Sequence, residues 1–258
     1  MKIINILKVT RERFNLNNCV GIPKPLIQIG GKPLITRWME QLQLLVDKKY
    51  ITRNDIFVVT NNLYYKQFLN WSKTVNLSSD QIINDMTSDN SNRIGAVADI
   101  ELVIQKKNIK GESIMIIGGD TLFDKDFNII SIVEEHFKHK KSIVLSYKIK
   151  NEEELSKYGI LQIDQKNKRV IKFLEKPKVS KSRLACPCFY ILDYNSISLI
   201  SKFLNEIQHL EKKDAPGHFI KYLVNDTNNI ILTIEISKRF DIGNLKDLIE
   251  TNEYFCSS

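Results

Sequence analysis

Long apolar segments are absent from this 258-residue sequence. No stretch reaches the roughly 18–20 consecutive apolar residues that a membrane-spanning helix needs. Residues 1–8 are too short and too interrupted by polar side chains for a secretory signal peptide, and they are more typical of a first buried strand. We therefore expect a cytoplasmic protein without a membrane partner.

Cysteine is also scarce, with four residues in the whole chain. Cys19 and Cys256 are isolated, whereas Cys186 and Cys188 flank Pro187. A zinc site would need a second close cysteine pair or a histidine pair, and the sequence contains neither. Buried free thiols are the favoured interpretation, and the sequence assigns no role to Cys186 or Cys188.

Acidic residues are too few to balance the basic ones, and the net charge is +8. Such an excess suggests a polyanionic partner. However, the lysines are spread along the chain, and the densest basic segment, 136–141, lacks the aromatic ladder of RNA-binding proteins. We expect a solvated basic surface and a basic site for a polyanionic substrate, and no nucleic-acid partner.

Short apolar, β-branched runs alternate with amphipathic stretches in the first half, which predicts βαβ units and a parallel sheet. The segment 142–193 is richer in strands and is expected to add antiparallel members. The predicted fold is α/β, a Rossmann-like three-layer sandwich with a mostly parallel mixed central sheet. The predicted strands are 2–7, 55–60, 81–84, 113–118, 142–149, 160–164, 169–174, 188–193 and 230–236. The predicted helices are 33–47, 62–72, 95–106, 128–136, 194–208, 215–225 and 245–255.

The hydrophobic fraction of 43% is enough for one large core. No repeat or Pro/Gly-rich linker divides the chain. We expect a single domain, 1–258, with the halves 1–125 and 126–258.

A carboxylate, Asp120, follows Gly118 and Gly119 at the end of a strongly apolar predicted strand. The two glycines would let a ligand approach the backbone closely. Asp120 would then stand where it can bind a cation, although an aspartate here can equally cap the next turn.

A second carboxylate, Asp241, lies between a predicted strand and a predicted helix, in Arg239-Phe240-Asp241-Ile242-Gly243-Asn244. Asp241 or Asn244 could be simply a helix cap. If Asp120 and Asp241 meet at one edge of the sheet, they suit Mg²⁺, which takes one or two carboxylates plus substrate phosphates.

Two lysines stand in restrained positions. Lys24 lies between Pro23 and Pro25, a stiff mount that would suit a phosphate contact. Lys176 stands in Glu175-Lys176-Pro177, directly after a predicted strand. The simpler interpretations are that Lys24 is a surface lysine and that Glu175 and Lys176 form a surface ion pair of little energetic value.

The order of these motifs resembles the sugar-1-phosphate nucleotidyltransferases, such as glucose-1-phosphate thymidylyltransferase and mannose-1-phosphate guanylyltransferase. The resemblance covers nearly the whole chain. It is carried by Pro-Lys-Pro-Leu at 23–26, Gly-Lys-Pro-Leu at 31–34, Arg93-Ile94-Gly95-Ala96-Val97-Ala98-Asp99, Gly-Gly-Asp at 118–120, Tyr158-Gly159-Ile160, Glu-Lys-Pro at 175–177 and Phe-Asp-Ile-Gly at 240–243.

The resemblance implies a GT-A-like fold and transfer of a nucleoside monophosphate from a nucleoside triphosphate to a sugar-1-phosphate or a similar phosphorylated substrate. Pyrophosphate would leave, and Mg²⁺ would be the cofactor. Self-association is also common among such proteins, although no stripe of this sequence demands it.

The resemblance also implies residue roles. Asp120 and Asp241 would hold Mg²⁺, and Lys24 would contact the α-phosphate. Lys176 would bind the sugar phosphate, and Glu175 the sugar hydroxyls. Three glycines, Gly95, Gly119 and Gly159, would let substrate approach the backbone, with Gly95 near the base or sugar.

The N-terminal loop departs from the family pattern. The family has a glycine-rich loop that ends in Thr/Ser-Arg-Leu and cradles the triphosphate with backbone N–H groups. Here Val9 and Arg11 replace both glycines, and only Arg13, followed by an apolar residue, matches. Lys8 and Arg11 would supply cationic contacts to the substrate beside the catalytic Arg13. Alternatively, the loop no longer binds a triphosphate productively, and the chain is a non-catalytic regulatory or structural relative.

Retention of both carboxylates and both lysines favours an active enzyme. Pro187 is a second departure, because the family usually has a glycine just before this strand, and it would alter the sugar pocket. A metal-dependent glycosyltransferase is a further alternative, since Asp124-Lys125-Asp126 mimics its Asp-x-Asp motif. That motif should end a strand, which is the position of Asp120.

Overall fold

The computed structural model describes residues 1–6, 21–89, 91–207, 213–227 and 229–256, with backbone alone for residues 2–6. The predicted site residues Lys8, Arg11 and Arg13 lie outside these ranges. None of the described helices combines the length and the apolar character that crossing a membrane requires.

Strands and helices alternate through the first half of the chain, as the sequence pattern predicts. The described strands are β1 Lys2–Ile6, β2 Gln28–Ile29, β3 Lys32–Pro33, β4 Ile56–Thr60, β5 Ile82–Asn84, β6 Ile114–Gly118, β7 Thr121–Phe123, β8 Ser142–Lys148, β9 Gly159–Asp164, β10 Arg169–Glu175, β11 Leu184–Cys186, β12 Phe189–Leu192, β13 Ile231–Glu235 and β14 Arg239–Asp241. The described α-helices are α1 Leu34–Asp47, α2 Asn62–Thr74, α3 Ala96–Lys106, α4 Ile129–His139, α5 Tyr194–Ile197, α6 Ile200–Glu206, α7 Pro216–Asn225 and α8 Leu245–Cys256.

The described strands build a ten-stranded sheet in the order β11-β9-β10-β13-β8-β12-β6-β1-β4-β5. The strands β6, β1, β4 and β5 are parallel to one another, and β13 is parallel to β8. Strands β12, β10 and β11 run against their neighbours. This mixed α/β sheet confirms the predicted fold class.

Helices cover both faces of the sheet, because its central strands are apolar on both sides. Along β6, Met115 and Ile117 belong to the core cluster shared with α1, α2, α4 and α8. Their neighbours Ile114 and Ile116 belong to a second cluster, shared with α3, α6 and α7. The alternation follows from the two-residue period of a strand, and it produces the three layers.

Strand β8 passes from the main sheet to a smaller group of strands. Residues 142–146 of β8 pair with β13, whereas Tyr147 and Lys148 pair with β11. Strand β11 continues to β9 and β10. The carboxyl end of β10 is thereby brought beside the main sheet.

Strands β7, β11 and β14 were not predicted from the sequence, and each has only three residues. Strands β7 and β14 pair with each other, with Thr121 opposite Asp241 and Phe123 opposite Arg239. A segment so short has no detectable period, and its partner lies more than a hundred residues away. Asp241 is therefore the last residue of a strand, in a segment to which the sequence assigned neither a strand nor a helix.

Candidate active site

Lys24 stands on a short 3₁₀ helix, Lys24–Leu26, with prolines at 23 and 25. The turn closes when the Leu26 N–H donates to the Pro23 carbonyl oxygen at 2.8 Å. Only 8% of Lys24 is exposed, and its Nζ lies 3.4 Å from Asp120 Oδ2. Lys24 is therefore a buried ammonium aimed at a carboxylate, which excludes the simpler interpretation of a surface lysine.

Asp120 lies just beyond β6, which ends at Gly118, and the intervening Gly119 is buried, as is Gly118. The Gly118 N–H donates to the Cys188 carbonyl oxygen at 2.7 Å. A Cβ on Gly118 would lie 3.0 Å from Cys188 Cβ, so the strand β12 side of the site is tightly packed against β6. This packing places Asp120 at the carboxyl end of β6, where ligands bind in such sheets.

Asp241 reaches the same edge through the β7–β14 pair. The Ile242 N–H donates to the Asp120 carbonyl oxygen at 3.3 Å, so the backbones that carry the two carboxylates are in direct contact. Burial raises the pKa of the Asp241 carboxyl, and nearby Asp120 raises it further, whereas Arg239 and Lys24 lower it. The two carboxylates therefore share one electrostatic environment.

The donor set fits a divalent cation with hard oxygen ligands. The Asp120 and Asp241 side chains retain 30% and 32% exposure, so both are partly buried and still open to solvent. Magnesium commonly binds through one or two carboxylates, with substrate phosphates and water completing the shell. In the described part of the chain, no group of three or more acidic, histidine or cysteine side chains could hold a metal.

Arg239 was not singled out as functional from the sequence, yet it makes several polar contacts in the site. Its Nη2 lies 3.0 Å from Asp241 Oδ2 and 3.2 Å from Thr121 Oγ1. Its Nη1 donates to the Tyr147 hydroxyl at 3.4 Å, and its guanidinium lies 4.9 Å from the centre of the Tyr158 ring. The available signal was its i,i+2 spacing from Asp241, which puts both side chains on one face of a strand.

Glu175 and Lys176 form the other side of the site, at the end of β10. Glu175 pairs across the strands with Gly159, the first residue of β9. A Cβ on Gly159 would lie 3.2 Å from Glu175 Oε2, and a Cβ on Gly217 would overlap the same oxygen. Lys176 is exposed, has a φ of 47°, and donates its N–H to the Tyr158 carbonyl oxygen at 3.1 Å.

Gly95 lies at a third position, immediately before α3, with a φ of 93°. A Cβ there would come within 2.8 Å of the Lys213 backbone, so glycine is required both by conformation and by space. Arg93 reinforces this contact, because its Nη1 lies 3.3 Å from Asp214 Oδ2.

Asp99, one turn into α3, is a carboxyl group without a described hydrogen bond at its buried Oδ1 atom. Burial raises its pKa to about 8, with smaller contributions from Asp85 and Asp214. The group is therefore mostly protonated at neutral pH. A partly buried acid whose pKa is raised this far is an unusual feature beside a site, and the sequence pattern does not reveal it.

The predicted site residues that the structure describes fall into three connected groups. Lys24, Gly119, Asp120 and Asp241 lie together beside the carboxyl end of β6. Gly159, Glu175 and Lys176 lie beside it, linked through the stacking of Arg239 on Tyr158. Gly95 lies against residues 213 and 214, three residues before the α7 glycine, Gly217, that lies against Glu175.

Asp124 and Asp126, which mimic an Asp-x-Asp motif, are engaged elsewhere. Asp124 accepts hydrogen bonds from the hydroxyls of Tyr254 and Ser237, and Asp126 accepts one from Ser237. These bonds tie α8 and the start of β14 to the loop after β7. Since these carboxylate oxygens form hydrogen bonds within the fold, Asp124 and Asp126 do not support the glycosyltransferase alternative.

The described cysteines are free thiols, as expected, although they are not all buried. Cys186 is buried and Cys188 is partly buried, whereas Cys256 is exposed near the end of α8. Burial raises the pKa of the Cys188 thiol to about 12.

Comparison with known proteins gives a match to a protein family. A family model described as nucleotidyl transferase matches residues 19–258. The bifunctional protein GlmU of Methanocaldococcus jannaschii is 27% identical over 90% of this chain and 49% of its own length. Mannose-1-phosphate guanylyltransferase 1 of Arabidopsis thaliana is 24% identical over 76% of this chain and 50% of its own length. The chain spans about half the length of these curated relatives.

Solved structures share the fold. A Bacillus anthracis protein described as a glucose-1-phosphate thymidylyltransferase superposes with a TM-score of 0.77 at 19% identity, covering 100% of this chain and 96% of that one. A UDP-glucose pyrophosphorylase bound to UDP-glucose superposes with a TM-score of 0.70 at 18% identity, covering 100% and 99%. At these identities the likeness extends to the fold alone.

Proposed function

Because the chain belongs to the nucleotidyl transferase family, we propose that it transfers a nucleoside monophosphate from a nucleoside triphosphate to a sugar-1-phosphate or a similar phosphorylated substrate. The observation that carries this proposal is the buried Lys24–Asp120 pair beside Asp241. A buried cation and two carboxylates beside the carboxyl end of β6 match the needs of phosphate chemistry. Residues 1–125 would form the nucleotide-binding half and residues 126–258 the sugar-phosphate half.

The proposed reaction forms one bond and breaks one. An anionic oxygen of the sugar phosphate attacks the α-phosphorus, and the bond from this phosphorus to the bridging oxygen breaks, so pyrophosphate leaves with the electron pair. The attacking oxygen is already ionised near neutral pH. No general base is therefore needed, and the protein's work is positioning and charge neutralisation.

Each side chain then has a role that its surroundings support. Lys24 would neutralise charge that develops on the α-phosphate, since its ammonium is held against Asp120 in a buried position. Asp120 and Asp241 would hold Mg²⁺, which when bound neutralises phosphate oxygens. Lys176 would bind the sugar phosphate and Glu175 the sugar hydroxyls, while Gly119 would let substrate approach the backbone. The Cβ space at Gly95 and Gly159 is filled by protein, by the Lys213 backbone and by the Phe173 and Glu175 side chains, and does not leave room for substrate as predicted. The predictions for Lys8, Arg11 and Arg13 are unchanged.

Pyrophosphate release with Mg²⁺ tests the proposal. The five common nucleoside triphosphates would be paired with a panel of sugar-1-phosphates, using wild-type protein, Asp120→Asn and the matched control Asp80→Asn. Asp80 also lies 3.4 Å from a lysine, Lys107, but its side chain is 73% exposed. We expect release that needs both substrates, is lost in Asp120→Asn and is kept in Asp80→Asn.

Failure has two distinguishable forms. Absence of pyrophosphate release on every pair, together with no nucleotide binding by calorimetry, would contradict the activity and favour the non-catalytic alternative. Turnover that survives Asp120→Asn would contradict the assigned carboxylate. Cytoplasmic location and self-association stay predictions.

A further inference from the structure

Arg239 is the cation that joins the two sides of the candidate site. On one side it contacts Asp241, and on the other it lies over the Tyr158 ring. The Tyr158 carbonyl oxygen in turn accepts the N–H of Lys176. The side chain of Arg239 is 10% exposed, so these contacts form away from bulk solvent.

The guanidinium is held by more than its charge partner. Thr121 Oγ1 accepts from Nε at 3.4 Å and from Nη2 at 3.2 Å, and the Tyr147 hydroxyl accepts from Nη1 at 3.4 Å. These acceptors are neutral and come from β7 and β8. The position of Arg239 therefore does not depend on Asp241 alone, and the arginine would stay in place when the carboxylate binds a cation.

We propose that Arg239 is a positioning residue, which holds one oxygen of Asp241 so that the other is presented to the divalent cation. The inference rests on the proposed function for the identity of that cation as Mg²⁺. Arginine suits this task because its planar fork keeps a fixed orientation relative to a carboxylate, which a lysine ammonium does not. Groups that orient a metal ligand in this way typically change metal affinity when they are removed.

An alternative role for Arg239 is a simple counter-charge. A fixed positive charge near two carboxylates weakens their attraction for a metal, and removing it would then tighten metal binding. The two roles predict opposite changes, which makes them separable by experiment.

The test is Mn²⁺ binding measured by electron paramagnetic resonance, with inorganic pyrophosphate present. Mn²⁺ takes the place of Mg²⁺, and pyrophosphate supplies phosphate oxygens without a choice of nucleobase. The variants are Arg239→Lys, which keeps the charge and loses the fork, and Arg239→Met, which loses both. The control is Arg183→Lys, an exposed arginine 2.7 Å from Glu152.

We expect both Arg239 variants to weaken Mn²⁺ binding by about tenfold or more, to a similar extent, and Arg183→Lys to leave it unchanged. Unchanged affinity in Arg239→Met, tighter binding in that variant, or full retention by Arg239→Lys would each overturn the proposal. Wild-type protein that binds no Mn²⁺ with pyrophosphate would overturn it as well.

Milder variants keep the inference testable if Arg239 is needed for folding. Thr121→Val and Tyr147→Phe each remove a hydrogen-bond acceptor of Arg239 without changing any charge. Both should weaken Mn²⁺ binding by about threefold, a fraction of the loss for a whole orienting group. Unchanged binding in both folded variants would contradict the positioning role. Wild-type protein that binds Mn²⁺ but releases no pyrophosphate with any substrate pair would contradict the proposed function alone.

Discussion

Gly217 lies directly against the carboxylate of Glu175. A Cβ at position 217 would overlap Glu175 Oε2 and lie 2.9 Å from Glu175 Cδ. Gly217 is in the first turn of α7, at a position where helix geometry does not require glycine. The space that it leaves is therefore filled by an acidic side chain from another element, at the end of β10.

Gly217→Ala should displace Glu175 without unfolding the protein. The overlapping atoms are the far end of a flexible side chain, and alanine is a better helix former than glycine by up to about 1 kcal/mol. We expect a melting temperature within about 2 °C of wild type. The KM for the sugar phosphate should rise, while the KM for the nucleotide stays constant.

The matched variant for this prediction is Glu175→Ala, alone and combined with Gly217→Ala. If the clash with Glu175 is the cause, the second substitution adds nothing to the first. An unchanged KM in Gly217→Ala would show that Glu175 does not touch the sugar.

Lys24→Met should lower kcat strongly. Its ammonium is buried beside Asp120, and loss of one preorganised charge-stabilising donor typically costs about a hundredfold or more in turnover. Lys107→Met is the control, because Lys107 forms an ion pair of the same 3.4 Å length with exposed Asp80. Equal effects of the two substitutions on pyrophosphate release would refute a catalytic role for Lys24.

Asp99→Asn should stabilise the protein more as pH rises. Burial raises the native pKa of Asp99 from 3.8 to about 8, so between these values the native state binds more protons than the unfolded state. Stability is therefore lost as pH increases through this window. The amide is neutral at every pH and escapes this cost, which is on the order of a few kcal/mol.

Thermal melts at about pH 4 and about pH 8.5 measure the effect of Asp99→Asn. The gain in melting temperature over wild type should be larger at the higher pH. Asp226→Asn, at an exposed position, is the control and should show no such difference. A gain of equal size at both pH values would mean that Asp99 is not buried in its neutral form.

Thiol labelling should distinguish the cysteines near the site from the one at the end of α8. The thiolate is the reactive form, and burial raises the pKa of Cys188 to about 12 and raises that of Cys186. With iodoacetamide at about pH 8, peptide mapping should find Cys256 alkylated well before Cys186 or Cys188. Labelling in denaturant, where all three react, is the control, and early modification of Cys188 in the native protein would contradict its burial.

The sequence predicts the parts of this fold whose signal is local. Strands β4, β6 and β13 are rich in apolar and β-branched residues, and α1 and α3 have a helical period, so each was found within a few residues of its observed bounds. Predicted helix 194–208 is instead two short helices, α5 and α6, separated at Ser198 and Leu199. Such a break depends on tertiary contacts that override local propensity.

The sequence predicted only those residues of the candidate site that belong to a recognisable motif. Asp120 and Asp241 were recognised from strand-end positions, but their meeting depends on β7 and β14, which no local pattern reveals. Arg239 was missed for the same reason, because its partners Thr121, Tyr147 and Tyr158 come from three separate segments. Asp99 reads as an ordinary polar residue of a helix until its burial is known.

Because β7 pairs with β14 in a fixed register, the number of residues leading into β14 constrains the site as much as the identity of those residues does. With Thr121 opposite Asp241, a one-residue slip would turn Arg239 and Asp241 away and present Phe240 in their place. A single-residue insertion between Ser237 and Lys238 should therefore abolish Mn²⁺ binding. The same insertion in the exposed turn at 165–168, between β9 and β10, should be tolerated. Variation in length among related chains should then concentrate in exposed turns such as the one at 165–168.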